Sequence, residues 1–401
     1  MIDTDHTPES LRAALVDQLR ADHYVRSARV ERALREVPRH LFVPDASTAD
    51  AYANESVTTH RDGTGTIRSC ASAPSVVAMM LEQLDVQPGH RVLEIGAGTG
   101  YNAALLRELT GPGGQVTTID IDTDVVEGAR TGLAAAGYDD VTVLARDGAL
   151  GDDAHAPYDR IIVTVGAWDV PSAWRDQLSA AGRMVVPLRF RGTTRTIAFA
   201  GSPDRLESRS MQLCGFIPMR GHADGEHALA LDGDDVTLYY DEDQEIAPAS
   251  GILDQPRTEA WSGVTVAGSE SFDGVWLRLA TAEPGTCRIT ATPSAVERGR
   301  ATPAIPSLSP ALAEGASLSY FTYRRLTGDG PARAELGAIG HGPAGDDLAE
   351  RICNQIRVWD QDRSAVPTVE AVPSGTSDEQ LPRGFVVDKR HSRLVLNWPT
   401  T

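Results

Sequence analysis

A glycine-rich turn between an apolar strand and a helix is the feature that most constrains this chain. Residues 92–100 read Val-Leu-Glu-Ile-Gly-Ala-Gly-Thr-Gly, and a helix is predicted from Tyr101 to Leu109. Glycines at such a turn let backbone N–H groups approach a ligand closely, and the helix then begins at that ligand. The pattern predicts a cofactor site. A single turn of this kind, however, occurs in the binding sites of several different cofactors and also as a tight chain reversal without a ligand.

Three acidic residues near predicted strand ends narrow the choice of cofactor. Glu94 lies in the turn, Asp120 ends the next strand, and Asp147 follows the third. An acid about 20 residues beyond the turn can accept hydrogen bonds from both ribose hydroxyls, and one after the third strand can accept the adenine amino group. Glu94 would repel a pyrophosphate but tolerate a cationic methionine group. The set favours S-adenosylmethionine (SAM), with S-adenosylhomocysteine as product, over a nicotinamide cofactor. The simpler alternatives are a solvated loop acid for Glu94 and a turn-forming Asp-Gly for Asp147.

The elements around this turn predict the fold class. Strands and helices alternate over 91–95, 101–109, 115–120, 123–136, 140–145, 159–165, 171–180 and 182–188. Such alternation indicates right-handed βαβ crossovers and a mostly parallel sheet. We therefore expect an α/β, Rossmann-like SAM-dependent methyltransferase. Its predicted cofactor residues are Glu94, Gly96, Ala97, Gly98, Tyr101, Asp120, Ile121, Asp147 and Gly148.

A chain of 401 residues is longer than a single hydrophobic core ordinarily accommodates, so more than one domain is expected. Helices are predicted from Thr7-Pro8 and over 27–36, before a polar, irregular stretch over 45–75 and a helix over 75–84. We divide the chain into an N-terminal part with a substrate loop (1–75), a SAM-binding core (76–220) and a C-terminal α+β domain (221–401).

The C-terminal part shows mainly short strand-like runs and one helical pattern. The runs cover 236–240, 263–267, 275–280, 287–291, 318–324, 384–387 and 394–398, and the helix covers 346–361. Pro293 to Pro310 is proline-rich and is expected to be a surface connection. We predict that this domain recognises a peptide substrate, with stabilisation or oligomerisation as the alternative.

Charge and cysteine content exclude several classes of partner. The net charge of −19 repels phosphate backbones and anionic membranes, so neither nucleic acid nor a membrane is expected. The N-terminus lacks a signal-peptide pattern, and no apolar run reaches the roughly 18 residues of a membrane span. The four cysteines are scattered, which is typical of reduced thiols, not of a disulfide framework or a zinc site. We expect a cytoplasmic protein without a bound metal.

Five motifs in consistent order point to one family. They are Val37–Pro44, Thr66-Ile67 with Ser72-Ala73-Pro74, Arg91–Tyr101, Tyr158–Val163 with Val165–Pro171, and Gly182–Pro187. Together they resemble the protein-L-isoaspartate O-methyltransferases over roughly residues 10–200. The resemblance implies SAM-dependent methylation of a peptide carboxylate. The intact acids and glycines favour an active enzyme over a binding module that keeps only the fold.

The chain also departs from the repair enzymes of that family. Arg68–Ala71 separates Thr66-Ile67 from Ser72, Trp168 follows the fourth strand where a small residue is usual, and residues 221–401 extend beyond the core. The long form resembles methyltransferases that act beside ATP-grasp ligases on ω-ester-linked ribosomal peptides (graspetides). That resemblance implies methylation of one Asp side chain in a peptide already cyclised by the ligase, followed by aspartimide formation. Isoaspartate repair and lanthipeptide-type Asp methylation are the alternatives.

The predicted reaction needs positioning more than acid–base catalysis, because an aspartyl carboxylate is already ionised at neutral pH. Ser72 is predicted to orient the acceptor, with Thr66 and Ser69 as weaker candidates; the alternative for Ser72 is a helix cap. The remaining predicted substrate contacts are His60, Arg61, Val165, Gly166 and Trp168. The alternative for His60 and Arg61 is that they are exposed turn residues without a binding role. The alternative for Trp168 is that it is an aromatic residue of the core.

Overall fold

The computed structural model describes residues 7–221, 225–248, 251–268, 270–327 and 332–399. The chain begins with three helices, α1 (Pro8–Ala21), α2 (Ala28–Glu36) and α3 (Thr48–Ala51). The Thr7 side chain caps α1 by accepting a hydrogen bond from the backbone N–H of Ser10, and Ser27 caps α2 in the same way. The two helices predicted from the capping pattern are confirmed.

A β-hairpin lies within the stretch predicted to be irregular. Strands β1 (Val57–Arg61) and β2 (Ile67–Ala71) pair antiparallel with irregular register. Asp62 organises the turn, since its carboxylate accepts the backbone N–H groups of Thr64 (2.9 Å) and Thr66 (3.0 Å) and also pairs with Arg68. These short strands are largely polar, so the apolar alternation that identifies a half-buried strand is missing.

The predicted parallel sheet is confirmed. Its strands are β3 (Arg91–Ile95), β4 (Gln115–Asp120), β5 (Thr142–Ala145), β6 (Tyr158–Val163) and β7 (Leu178–Phe190), in the spatial order β5-β4-β3-β6-β7. The helices between and before them are α4 (Pro74–Leu84), α5 (Tyr101–Thr110), α6 (Thr123–Ala135) and α7 (Ser172–Gln177). This arrangement is Rossmann-like and brings the glycine turn to the carboxyl edge of the sheet.

The same sheet continues through antiparallel strands from two distant parts of the chain. After β7 come β8 (Thr193–Ser202) and β9 (Arg205–Leu213), and then three C-terminal strands, β17 (Thr368–Pro373), β19 (Ser392–Asn397) and β18 (Phe385–Asp388). The ten-stranded sheet therefore includes residues that the sequence analysis assigned to the C-terminal domain. Pairing between segments so far apart leaves no local signal in the sequence.

A second, seven-stranded antiparallel sheet lies between β9 and β17 in the chain. Its spatial order is β10-β11-β13-β14-β15-β16-β12. The strands are β10 (Glu226–Asp232), β11 (Val236–Asp241), β12 (Arg257–Ala267), β13 (Thr286–Ala291), β14 (Ser309–Glu314), β15 (Ser317–Leu326) and β16 (Arg333–His341). Its helices are α8 (Asp273–Ala280), α9 (Pro293–Glu297) and α10 (Gly345–Gln361), and α10 buries Leu348, Ile352 and Ile356 as predicted. The strand predicted over 275–280 is wrong, because a short apolar run does not distinguish a strand from a buried helix such as α8.

Buried ion pairs join the two sheets. Lys389, just after β18, pairs with Asp241 of β11 at 2.7 Å, and both side chains are almost fully buried. Arg191 and Arg195, at the β7–β8 turn and in β8, pair with Asp243 and Asp273.

None of the helices within the described residues is long and apolar enough to span a membrane.

Candidate cofactor and acceptor site

A cavity of about 410 Å³ opens at the carboxyl ends of β3, β4 and β6. The glycine turn and Asp120 form one side, strand β2 with Ser72 and Ala73 forms another, and residues 215–217 after β9 close a third. Ligands of open α/β sheets bind at this edge, and the volume lies in the usual range for a small-molecule site.

The conformation of the glycine turn explains its composition. Gly96 (φ +103°) and Gly100 (φ +86°) have positive φ, and a Cβ on Gly96 would lie 2.6 Å from the Thr164 hydroxyl oxygen. Gly98 also has a positive φ (+51°), but its packing differs, since a Cβ there would contact only atoms of Ser69 and Cys70 at 3.8 Å or beyond. Gly96 and Gly100 are thus required by packing as well as by backbone conformation, whereas Gly98 leaves space between the turn and β2.

Glu94 is a buried strand residue, so the alternative of a solvated loop acid is wrong. Its side chain accepts hydrogen bonds from Asn102 Nδ2 (2.7 Å) and Thr118 Oγ1 (2.6 Å). Burial raises the pKa of Glu94 to about 7, against the lowering effect of these two donors. A buried carboxylate with this pKa at the cavity wall is suited to a positively charged ligand group.

Asp120 ends β4 and lines the same cavity. It accepts hydrogen bonds from the backbone N–H groups of Gly98 (3.3 Å) and Asp122 (3.2 Å). Burial raises its pKa, and the two N–H groups oppose that effect. Since one face of this carboxylate is held by the glycine turn, the acid and the turn form one preorganised unit.

Four of the five remaining predicted cofactor residues line two adjoining spaces. Ala97 and Tyr101 line the main cavity, whereas Ile121 and Gly148 line a smaller one of about 50 Å³ that shares Asp120 with it. Asp147 lines neither. It caps the short 3-10 turn that begins at Gly148, accepting the backbone N–H of Ala149 at 2.9 Å.

Two of the three predicted acceptor-orienting residues, Ser69 and Ser72, lie on the opposite cavity wall. Helix α4 begins after Ala73 without a side-chain cap, so Ser72 is not its capping residue. Arg39, which is fully buried, donates 2.9 Å hydrogen bonds to the backbone carbonyls of Ser72 and Ala51. The sequence contains Arg39 in a family-like motif but does not show that it fixes the backbone of the acceptor wall.

The other hairpin residues predicted to act at the site, His60, Arg61 and Thr66, lie outside this cavity. Thr66, the third predicted acceptor-orienting residue, is exposed in the hairpin turn next to Asp62. Arg61 is exposed and donates to the Gly65 carbonyl at 2.9 Å. His60 lines a neighbouring cavity instead. The structure therefore does not support a direct role for Thr66 or Arg61 at the reaction site.

The loop after β6 only touches the cavity. Val165 lines it, whereas Gly166 forms a backbone bridge in which its N–H donates to the Ile217 carbonyl at 2.8 Å. Trp168 is buried against the guanidinium of Arg189, 4.1 Å from the ring centroid, and is not among the lining residues. The prediction that Trp168 walls the substrate pocket is not supported; the alternative of a packed aromatic fits its position.

Sequence analysis did not predict several residues that shape the site. Thr164 donates to the Gly96 carbonyl at 2.6 Å, Asn102 and Thr118 bind Glu94, and Phe216 and Ile217 line the cavity. None carries a motif of its own; only their positions after a strand or in a helix next to the glycine turn could have indicated them. Among the described residues, no group of three or more His, Cys, Asp or Glu could hold a metal ion.

Comparison with known proteins adds an independent finding. Residues 10–224 match the family described as protein-L-isoaspartate(D-aspartate) O-methyltransferase (PCMT). A protein-L-isoaspartate O-methyltransferase of Methanopyrus kandleri is 40% identical over 223 residues, covering 55% of this chain and 96% of the relative. One from Hyperthermus butylicus is 41% identical over 219 residues, covering 52% and 88%.

Similarity to a solved structure extends beyond this region. A protein-L-isoaspartate O-methyltransferase structure covers 90% of this chain and 96% of its own, with 21% identity and a TM-score of 0.50. The likeness concerns the fold alone. It nevertheless corrects the expectation that residues 221–401 separate this chain from every enzyme of that name.

Proposed function

Since this chain belongs to the protein-L-isoaspartate(D-aspartate) O-methyltransferase family and is a SAM-dependent carboxyl methyltransferase, we propose that it esterifies an aspartyl-type side-chain carboxylate in a peptide. One observation carries the proposal: the glycine turn with Glu94 and Asp120, and the wall with Ser69 and Ser72, face the same cavity. A cofactor site and an acceptor site in contact are what methyl transfer requires.

The cofactor would lie along the glycine turn. Asp120 would accept the ribose hydroxyls, and Glu94 would face the cationic end, while Ile121 and Gly148 would border the adenine. When bound, SAM supplies the activated methyl group. We base the orientation on charge, because Glu94 is the buried acid of the larger space and the smaller space is lined mainly by apolar and backbone groups.

The protein's part in the reaction is to orient and desolvate the acceptor. The acceptor carboxylate needs no general base, since an unperturbed Asp has a pKa of about 3.9. Ser72 would donate its hydroxyl to one carboxylate oxygen and leave the other directed at the methyl group, with Ser69 assisting. Ile162, Val165 and Phe216 supply apolar lining that excludes water.

For the substrate we propose a macrocyclised ribosomal peptide of the graspetide type, cyclised beforehand by an ATP-grasp ligase. The supporting observation is local: Arg68–Ala71, which separates the Thr66-Ile67 pair from Ser72, lines the cavity together with Ile67, whereas Thr66 is exposed in the hairpin turn. The acceptor wall thus differs from the repair enzymes where the substrate would bind. A methyl ester formed there would be activated for attack by the next backbone nitrogen, which would form the imide C–N bond, break the ester C–O bond with loss of methanol, and so give an aspartimide.

Repair of isoaspartyl residues is the second candidate, favoured by the names of the relatives that share about 40% identity with this chain. The test is a competition between three acceptors: an isoaspartyl hexapeptide, its aspartyl isomer and an ω-ester-cyclised peptide with one free Asp. SAM affinity is measured first by calorimetry. Preference for the cyclised peptide supports the graspetide proposal, and preference for the isoaspartyl peptide supports repair. SAM binding without methylation of any acceptor contradicts the proposed function.

A further inference from the structure

A second cavity of about 390 Å³ lies beside the reaction cavity. The two share Thr58, Ser69, Gly98 and Thr99, so they meet between the β-hairpin and the glycine turn. We call this second space the flanking cavity. The cofactor assignment above does not use it, because Glu94 and Asp120 line only the other spaces.

The flanking cavity has an apolar floor. Leu41, Phe42 and Val43 supply it from the turn after α2, and Val57 and Val125 from β1 and α6. Phe42, Val43 and Val125 are otherwise buried in the protein core. A binding surface of this kind fits an aliphatic or aromatic side chain.

Helix α6 contributes a glycine that packing does not explain. Gly128 lies within the helix and lines the flanking cavity, and a Cβ built there would meet no atom within 4 Å. Gly132, one turn later, does have a packing reason, since its Cβ would lie 2.9 Å from the Phe42 ring. In the interior of a helix, glycine is less favourable than alanine. Gly128 is exposed at the edge of the flanking cavity, so a larger side chain at this position would project into open space there.

The polar groups of the flanking cavity are mostly acidic or neutral. Asp45 and Asp124 line it, and His60 is the one imidazole. None of its described lining residues is Lys or Arg. An acidic side chain entering this space would be repelled by the two carboxylates, whereas an apolar one would bury its surface against the floor.

These observations lead to a subsite for the residue next to the acceptor. Resting on the proposed function, we propose that the flanking cavity binds the apolar side chain of the residue that adjoins the acceptor aspartyl in the peptide. Ser69 lines both cavities, so a peptide whose carboxylate is held at Ser69 and Ser72 has a chain neighbour within one residue, about 3.8 Å along the backbone, of a group that also borders the flanking cavity. The enzyme would thus select the sequence context of its target acid.

The test uses full-length protein and the acceptor, isoaspartyl or cyclised, that reacts in the competition described above. Two peptide series carry Ala, Leu or Glu either directly before or directly after the acceptor. Wild type is compared with Gly128→Leu, which projects a large side chain into the flanking cavity, and with the matched control Gly128→Ala, which keeps most of its space. SAM affinity and thermal unfolding are recorded for each variant to show that fold and cofactor site are intact.

We expect wild type to prefer Leu over Ala in one series by about tenfold or more in kcat/KM, and to use the Glu peptide least. Gly128→Ala should keep this order. Gly128→Leu should lose the Leu preference while its rate on the Ala peptide and its SAM affinity stay near wild type. Equal use of Leu and Ala by wild type, or an unchanged Leu preference in Gly128→Leu, overturns the subsite. Failure to methylate every peptide overturns the proposed function itself.

Discussion

Glu94 makes both stability and cofactor binding depend on pH. Its pKa is raised by burial from 4.5 to about 7 in the folded protein. Because the folded state binds the proton more tightly than the unfolded chain, the contribution of Glu94 to stability is fully present below about pH 4.5, is lost as pH rises through 7, and is then constant. A tenfold change in proton affinity is worth about 1.4 kcal/mol, so the ionised carboxylate costs the folded protein on the order of 3 kcal/mol.

A cationic ligand should offset the free-energy cost of ionising Glu94, because it stabilises the ionised carboxylate. We therefore expect SAM binding near pH 6 to release close to one proton from Glu94, and SAM affinity to increase as pH rises toward 7. Calorimetry in two buffers of different ionisation enthalpy measures the released proton. Urea unfolding between pH 5 and 8 measures the stability change without ligand.

Two variants separate Glu94 from other titrating groups. Glu94→Gln should abolish most of the proton release and flatten the stability profile above pH 5. Thr118→Val removes the 2.6 Å hydrogen bond to the carboxylate and should move the midpoint of the profile to higher pH. If Glu94→Gln releases as many protons as wild type on binding SAM, the buried carboxylate does not face the cationic group and the cofactor orientation is wrong.

Three further predictions concern single side chains. Asp120→Ala should weaken SAM binding about tenfold or more, since lost hydrogen bonds leave buried groups unpaired; an unchanged dissociation constant would refute the ribose assignment. Ser72→Ala should lower methylation at unchanged SAM affinity, and wild-type turnover would transfer the role to Ser69 or the backbone. Lys389→Met should destabilise the protein to urea by about 3–5 kcal/mol because it leaves Asp241 buried and unpaired. The neighbouring control Arg390→Met, which breaks an exposed pair with Glu242, should cost under about 1 kcal/mol; equal costs would contradict this argument.

The parallel sheet was predictable because its signals are local. The strand before the glycine turn is buried on both faces, and apart from Glu94 its buried residues Val92, Leu93 and Ile95 are apolar, which is typical of central parallel strands. Gly96 and Gly100 have conformations and neighbours that exclude other residues. Asp120 follows from the same pattern, because the end of β4 lies next to the turn in any sheet of this order.

The acceptor wall was harder to predict because it depends on contacts across the fold. Ser72 was found by resemblance, yet the Arg39 hydrogen bond that fixes its backbone joins residues far apart in sequence. Trp168 illustrates the same difficulty: its position after β6 suggested the cavity, but it packs against Arg189 of β7 and is not among the residues that line that cavity. Neither interaction has a periodicity or spacing that sequence analysis can detect.

The C-terminal part of the chain completes the methyltransferase sheet, and none of its described residues reaches the reaction cavity. Strand β17 covers the edge of β9, and Val369, Ala371 and Leu394 join the core beneath that sheet. An edge left open in this way would expose unpaired backbone groups. Yet, within the described part of the chain, the cavity is lined only by residues from Ser56 to Ile217. The described residues beyond 221 can therefore influence the choice of substrate by contacting remote parts of a peptide, or by holding the loop after β6, where Asp169 accepts the Ser392 hydroxyl, but not by touching the acceptor carboxylate.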